Sequence, residues 1–131
     1  MKRSACLIAS ALLLTAAPLQ AVGLGPLSLK GYIDGPRKGF QLALYNPYPE
    51  AVSFIAYAIG ENDEGEQGRV QIYPAEMRLG AGQSRRITVI AGDLELHQRY
   101  TFRVCAERET PPAGVAINAR VCSKLSALRL R

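Results

Sequence analysis

Two stretches near the C-terminus alternate apolar and polar residues in step with a pair of cysteines, a pattern that strands satisfy and helices do not. In Tyr100-Thr-Phe-Arg-Val-Cys-Ala-Glu107, the residues Tyr100, Phe102, Val104 and Ala106 form one row and Thr101, Arg103, Cys105 and Glu107 the other. In the stretch from Val115 to Leu125, Val115, Ile117, Ala119 and Val121 alternate with Ala116, Asn118, Arg120 and Cys122. A period of two is the signature of strands with one apolar and one polar face. Between them lies Thr110-Pro-Pro-Ala-Gly114, where prolines without an N–H cannot continue a ladder and the chain turns. If this hairpin folds so that Cys105 faces Cys122, its midpoint falls between Ala113 and Gly114, inside the turn. Both cysteines then stand on the polar row of their strands and point to the same side. A cross-strand disulfide is expected, worth roughly 3 kcal/mol in the chain-entropy picture.

The N-terminus sets the compartment in which such a bond forms. Lys2 and Arg3 precede an apolar run, Cys6 to Leu14, interrupted only by Ser10, and Pro18-Leu-Gln-Ala21 ends on a small residue. This is the pattern of a secretory signal peptide over residues 1–21. The run is too short to span a bilayer, so no membrane insertion is expected. Cys6 leaves with the signal, and residues 22–131 form a single domain with an even cysteine pair for an oxidising space such as the periplasm. Loss of Lys2 and Arg3 leaves 14 of the 16 basic residues against 11 acidic ones, a net charge of about +3. Those charges are scattered and are not interleaved with aromatics, so the composition does not describe a nucleic-acid surface.

Further alternating or β-rich stretches run from Leu27 to Ile33, Phe40 to Leu44, Ala51 to Ile59, Val70 to Tyr73 and Arg86 to Ile90. They are separated by turn signals, among them Asp34-Gly-Pro36, Asn46-Pro-Tyr-Pro49 and Arg78-Leu-Gly-Ala-Gly-Gln83. The residues from Asp93 to Gln98 connect to the terminal hairpin, with Leu94 and Leu96 expected beneath it. Seven short strands without a sustained helical period predict an all-β, seven-stranded immunoglobulin-like β-sandwich.

Catalytic chemistry finds little footing. His97 is the single histidine and no serine or cysteine near it carries a nucleophile motif. Glu61, Asp63, Glu64 and Glu66 lack the ligand spacing of an EF-hand and read as a solvated loop. Gly80-Ala-Gly82 is a turn with no helix after it to cradle a phosphate. No enzymatic activity, metal or cofactor is expected.

Taken in order, the residues resemble the N-terminal domain of periplasmic pilus-assembly chaperones of the chaperone–usher type. The matching pieces are Tyr32-Ile-Asp-Gly35, Leu42-Ala-Leu-Tyr-Asn46, and Ala56 to Glu61 leading into a polar loop. After them come Tyr73-Pro74 followed by Met77-Arg-Leu-Gly-Ala-Gly82, and Tyr100 to Glu109 followed by Pro111-Pro112. The most specific is the proline followed by Arg-Leu-x-x-Gly and a strand. The resemblance implies a binder of pilus or fimbrial subunits, with an outer-membrane usher as a further partner. Its last strand would lend an alternating apolar row to the subunit, a form of β-augmentation. That row would be Val115, Ile117, Ala119 and Val121. The family anchors the subunit's terminal carboxylate with two basic residues, which map to Lys30 and Lys124, and its long-loop members join their last two strands by a disulfide. Family members also carry a second immunoglobulin-like domain, so a chain ending at Arg131 is expected to present only the first domain's share of the cleft. Two other readings stand beside this one: a structural or adhesive component of a surface appendage, and a stand-alone periplasmic interaction domain. The short glycine-rich segment Val22-Gly-Leu-Gly-Pro26 and the presence of a seventh strand favour the chaperone.

Overall fold

The computed structural model describes residues 22–111, 114 and 119–131. The expected signal peptide and the donor-row residues Val115 and Ile117 lie outside the described residues. Nine strands are found among those described: β1 (Gly23–Gly25), β2 (Ser28–Ile33), β3 (Lys38–Tyr45), β4 (Val52–Gly60), β5 (Val70–Tyr73), β6 (Glu76–Leu79), β7 (Ser84–Ala91), β8 (Arg99–Arg108) and β9 (Arg120–Arg129). They form a four-stranded sheet ordered β1-β3-β7-β5 and a five-stranded sheet ordered β2-β9-β8-β4-β6. The chain changes sheets between β1 and β2 and again between β5 and β6, at Pro26 and Pro74. A residue with no N–H is suited to such a point, because the ladder must stop there.

The alternating rows close a core between the sheets. Phe40, Leu42, Leu44, Ile87 and Val89 from the four-stranded sheet pack with Phe54, Phe102, Val104, Leu125 and Ala127 from the other. Phe40 meets Phe102 edge-on with ring centroids 6.4 Å apart. The quadrupoles of the two rings favour that arrangement over a face-to-face sandwich. β3 shows how directly the pattern maps onto burial: Phe40, Leu42 and Leu44 are buried while Gln41, Ala43 and Tyr45 are exposed.

The all-β immunoglobulin-like sandwich matches the sequence reading, with four adjustments. β1 and β6 join the expected seven strands, and Arg78-Leu79, read as part of a turn, belongs to β6. Among the described residues the last strand runs from Arg120 to Arg129, past its expected end at Leu125, because β2 pairs alongside it in parallel from Ser28↔Lys124 to Ile33↔Arg129. Leu94 is buried as expected, but Leu96 is exposed. The backbone holds Leu94 through its amide to the Pro36 carbonyl and turns back at His97, whose amide donates to Arg129.

One buried polar side chain ties the loops at one end of the sandwich. Asn46 is fully buried, and its Nδ2 donates to the carbonyls of Glu50, Leu79 and Gly80 at 2.9, 3.0 and 3.1 Å. Its Oδ1 accepts from the Tyr48 amide, and its own backbone exchanges hydrogen bonds with Gly82 and Gln83. Removing the amide leaves one buried and two part-buried carbonyls without this donor. Asn46→Ala is therefore expected to lower unfolding free energy by about 2–4 kcal/mol, read from denaturant midpoints. A change below about 0.5 kcal/mol, the scatter of ordinary surface substitutions, would show that water replaces the side chain without loss.

Candidate functional site

β9 is flanked unevenly. On one side β8 pairs along it from Arg99↔Leu128 to Glu107↔Arg120. On the other, β2 covers only Lys124 to Arg129. The amides of Lys124 and Leu130 donate to Leu27 and Ile33, towards β2. Backbone groups of alternate residues face the same side of a strand, so Arg120 and Cys122 also turn their N–H and C=O to that side. Among the described residues no strand pairs with them there. The first four residues of β9 thus form an open sheet edge, in the lane that β2 enters only at Ser28.

That half-supported segment is pinned covalently. Cys105 and Cys122 are register partners and form the expected disulfide, with Cα atoms 4.0 Å apart. The parity of the ladder makes this a non-hydrogen-bonded pair, the narrow kind in which side chains approach closest. Cys105 is fully buried, and Tyr57 is its partner across β4 on the same face. On the opposite, inward face, Ser123 is buried and its hydroxyl donates to the Pro26 carbonyl at 2.5 Å.

The outward face of β8 and β9 is basic and carries an acidic loop. Arg103 reaches the β4–β5 loop through its main chain, donating from Nε to the Gly60 carbonyl and from Nη2 to that of Asp63, both at 2.9 Å. Arg120 grips the Glu64 carboxylate with two parallel hydrogen bonds of 2.8 and 2.6 Å and also reaches the Tyr57 hydroxyl. Lys124 pairs with Glu61 at 3.1 Å. The fork from Arg120 holds the Glu64 carboxyl below its ordinary value, against an opposing desolvation and with the charges of Arg120 and Arg103 adding to it. The same bonds to Glu64 and Tyr57 raise the pKa of the Arg120 guanidinium. Burial raises the Tyr57 phenol, and its bond from Arg120 offsets part of that. Among the described residues no group of three metal-type ligands converges, and no helix is long and apolar enough to cross a membrane.

The residues singled out by the sequence fall as follows. Lys30 is exposed on β2 with Ser126 as its register partner, so Lys30 and Lys124 share the outward face, two positions apart along the paired strands. Val121 is half-buried against the protein's own core, and Ala119 is exposed just before β9. Val115 and Ile117 lie outside the described residues. The acidic loop is solvent-exposed as read, and Glu61 and Glu64 on it are in addition ion-paired. Arg103 and Arg120 were not singled out; their place on the polar row beside the cysteines was the available signal, but nothing local linked them to acids about forty and fifty-six positions away.

The sequence matches no protein-family model and no curated protein. The fold is similar to that of PapD-like pilus chaperones of the chaperone–usher type. The E. coli chaperone DraB superposes with a TM-score of 0.65 at 18% identity, over 82% of this chain and 54% of that one. The periplasmic chaperone SfaE gives 0.66 at 16%, over 85% and 58%. A chain from the Salmonella enterica complex of SafA pilin with the SafB chaperone gives 0.67 at 20%, over 88% and 57%. This chain therefore spans little more than half the length of these proteins. A PapD-like domain of human CEP192 is also similar, at 0.61 and 13% identity, over 92% of this chain and 96% of that one.

Two outcomes follow from the site's geometry. Replacing both Cys105 and Cys122 by alanine is expected to cost about 2–4 kcal/mol and to speed amide exchange at Val121 and Ser123, which face β8, more than at Leu125 and Ala127, where β2 also flanks the strand. Uniform exchange along β9 would contradict the pinning role. The Glu64 carboxyl titrates lower in the folded state than its ordinary value of 4.5. Its contribution is thus complete above that value and fades as pH falls through the depressed one. Carboxyl NMR titration should place its midpoint below 4.5 in the wild type and shift it upward in Arg120→Gln.

Proposed function

We propose that this chain is a periplasmic chaperone-type protein that binds pilus or fimbrial subunits by accepting a subunit strand along the open edge of β9. The carrying observation is that edge itself: Arg120 and Cys122 direct backbone donors and acceptors into a lane that no strand among the described residues fills, on a domain whose fold is similar to that of pilus chaperones. Backbone groups at a sheet edge are the template that β-augmentation uses. The neighbouring structures support the partner class, since they include SafB with SafA pilin and a CsuC–CsuE chaperone–tip adhesion subunit complex. Export through the leader-like residues 1–21 and the disulfide of β8 and β9 support a periplasmic location.

Within this reading the donor row is Val115, Ile117 and Ala119, ahead of β9, while Val121 stays committed to the core. The lane closes where β2 enters at Ser28. A subunit strand ending there would bring its terminal carboxylate to the outward face near Lys124 and Lys30. A lysine holds such a group by charge, without the planar fork of an arginine. An outer-membrane usher would receive the complex.

A second reading, a stand-alone interaction domain, is favoured by the near-full-length similarity to the PapD-like domain of CEP192. The two separate by partner recovery. Residues 22–131, tagged and isolated from bacterial periplasm, are expected to retain one small exported β-rich subunit, identified by mass. Arg120→Pro removes the outward N–H and should abolish retention; Arg120→Ala keeps the N–H and should preserve it. Recovery of a polymer containing this chain, or equal retention by both variants, would move the assignment away from strand acceptance. Replacing Lys30 with alanine should weaken retention of a subunit with a free C-terminus, and unchanged affinity would remove Lys30 from the site.

A further inference from the structure

The first residue after the expected leader is a core residue. Val22 and Leu24 are 3% and 6% exposed and belong to the hydrophobic cluster between the sheets. The strand that carries Leu24, β1, is tied to β3 over Gly23↔Tyr45, Leu24↔Leu44 and Gly25↔Ala43. The bond that leader removal must break, Ala21–Val22, thus adjoins a side chain sealed inside the sandwich. With residues 1–21 as the leader, we infer that β1 is a latch on this junction. A leader peptidase cuts Ala21–Val22 only while β1 is off the sheet, and docking of β1 closes the junction. Leader removal then precedes completion of the four-stranded sheet.

The physical reason lies in what an endopeptidase takes hold of. It binds an extended segment on both sides of the bond it cuts, and a segment already paired in a sheet must first leave it. Beyond the cut that segment is Val22, Gly23 and Leu24, which β3 and the core hold. The fit is close: a Cβ built on Gly23 would stand 3.1 Å from the Cβ of Tyr45, so the backbone of β1 lies flush against its neighbour. A terminal segment bound into a sheet in this way is ordered and protected, unlike a free one.

The opening that cleavage needs is confined to β1. Just beyond it the chain is anchored to β9, because the Ser123 hydroxyl donates to the Pro26 carbonyl and the Lys124 amide to that of Leu27. Among the described residues β3 is the one strand that pairs with β1. β1 can therefore lift from the sheet edge at Gly25 and Pro26 while β2 keeps its place beside β9. Burial of two aliphatic side chains opposes the lift, so the open form is a small fraction of the folded chain, and that fraction sets the rate of cutting.

The test uses the precursor, residues 1–131, folded in detergent micelles with its disulfide formed, and a purified leader peptidase. A peptide of residues 12–27, too short to build a sandwich, gives the rate at an open junction. The folded precursor is expected to be cut at Ala21–Val22 about a hundredfold more slowly than the peptide. Leu24→Ala, which empties part of the β1 site in the core, should speed cutting of the folded precursor about tenfold and leave the matching peptide unchanged. A glycine–serine linker inserted between Ala21 and Val22 moves the cut bond clear of β1 and should bring the folded precursor close to its own peptide. Equal rates for the wild-type precursor and peptide would overturn the latch, as would an insertion variant that stays as resistant as the wild type. A peptide left uncut at Ala21–Val22 would overturn the junction, and the latch with it. Amide signals of β3 and β9 retained in Leu24→Ala would place the lift in β1 alone; if that variant unfolds, the insertion, which touches no core residue, decides.

Discussion

The pairing of β8 with β9 is the constraint from which the rest of the surface follows. It fixes which residues of β9 look inward and which backbone groups look sideways. It also opposes Cys105 and Cys122 so that one covalent bond secures the part of β9 that has a single neighbour among the described strands. A one-residue slip would move Leu125 and Ala127 from the core to solvent and turn the arginine and lysine of the outward face inward. The same register determines that the open edge offers the backbone of Arg120 and Cys122, and that Arg120 and Lys124 stand above it. The geometry of that edge and the stability of the fold are thus set by a single choice of alignment.

An edge left open in a sheet usually invites aggregation, and proteins blunt such edges with charge, shortness or cover. Here three such devices coincide. The open segment is short, it begins with an arginine, and an acidic loop lies over the adjoining face. These features limit adventitious pairing while leaving the backbone reachable. Fold similarity to pilus chaperones and to a PapD-like domain from a human protein shows that the same sandwich occurs in proteins of different kinds.

Much of this architecture could be read from residue order. The alternation in β3, β7 and β8 mapped directly to burial, and the symmetric placement of the cysteines about the sequence Pro111-Pro-Ala-Gly114 correctly gave their pairing. The misreadings share a cause, which is long-range pairing. β1 and β6 are too short to show a period by themselves and exist because β3 and β4 hold them. β9 extends to Arg129 because a strand almost a hundred residues earlier lies parallel to it. Leu96 looked like a core residue by type, but a backbone reversal at His97 leaves it in solvent. The grip of Arg120 on Glu64 joins residues fifty-six positions apart, and neither local sequence announces the other. Of the anticipated binding residues, Lys30 and Lys124 do share a face, whereas Val121 serves the interior.

The parallel alignment of β2 with β9 also has a mechanical meaning. β2 lies towards the N-terminal end of the chain and β9 at its C-terminal end, and the six residues of β2 run in the same direction as their partners. Tension applied between the two ends would draw β2 backwards and β9 forwards, loading their hydrogen bonds side by side. They could not open one after another, as at the end of a hairpin. A domain wired in this way resists stretching in shear.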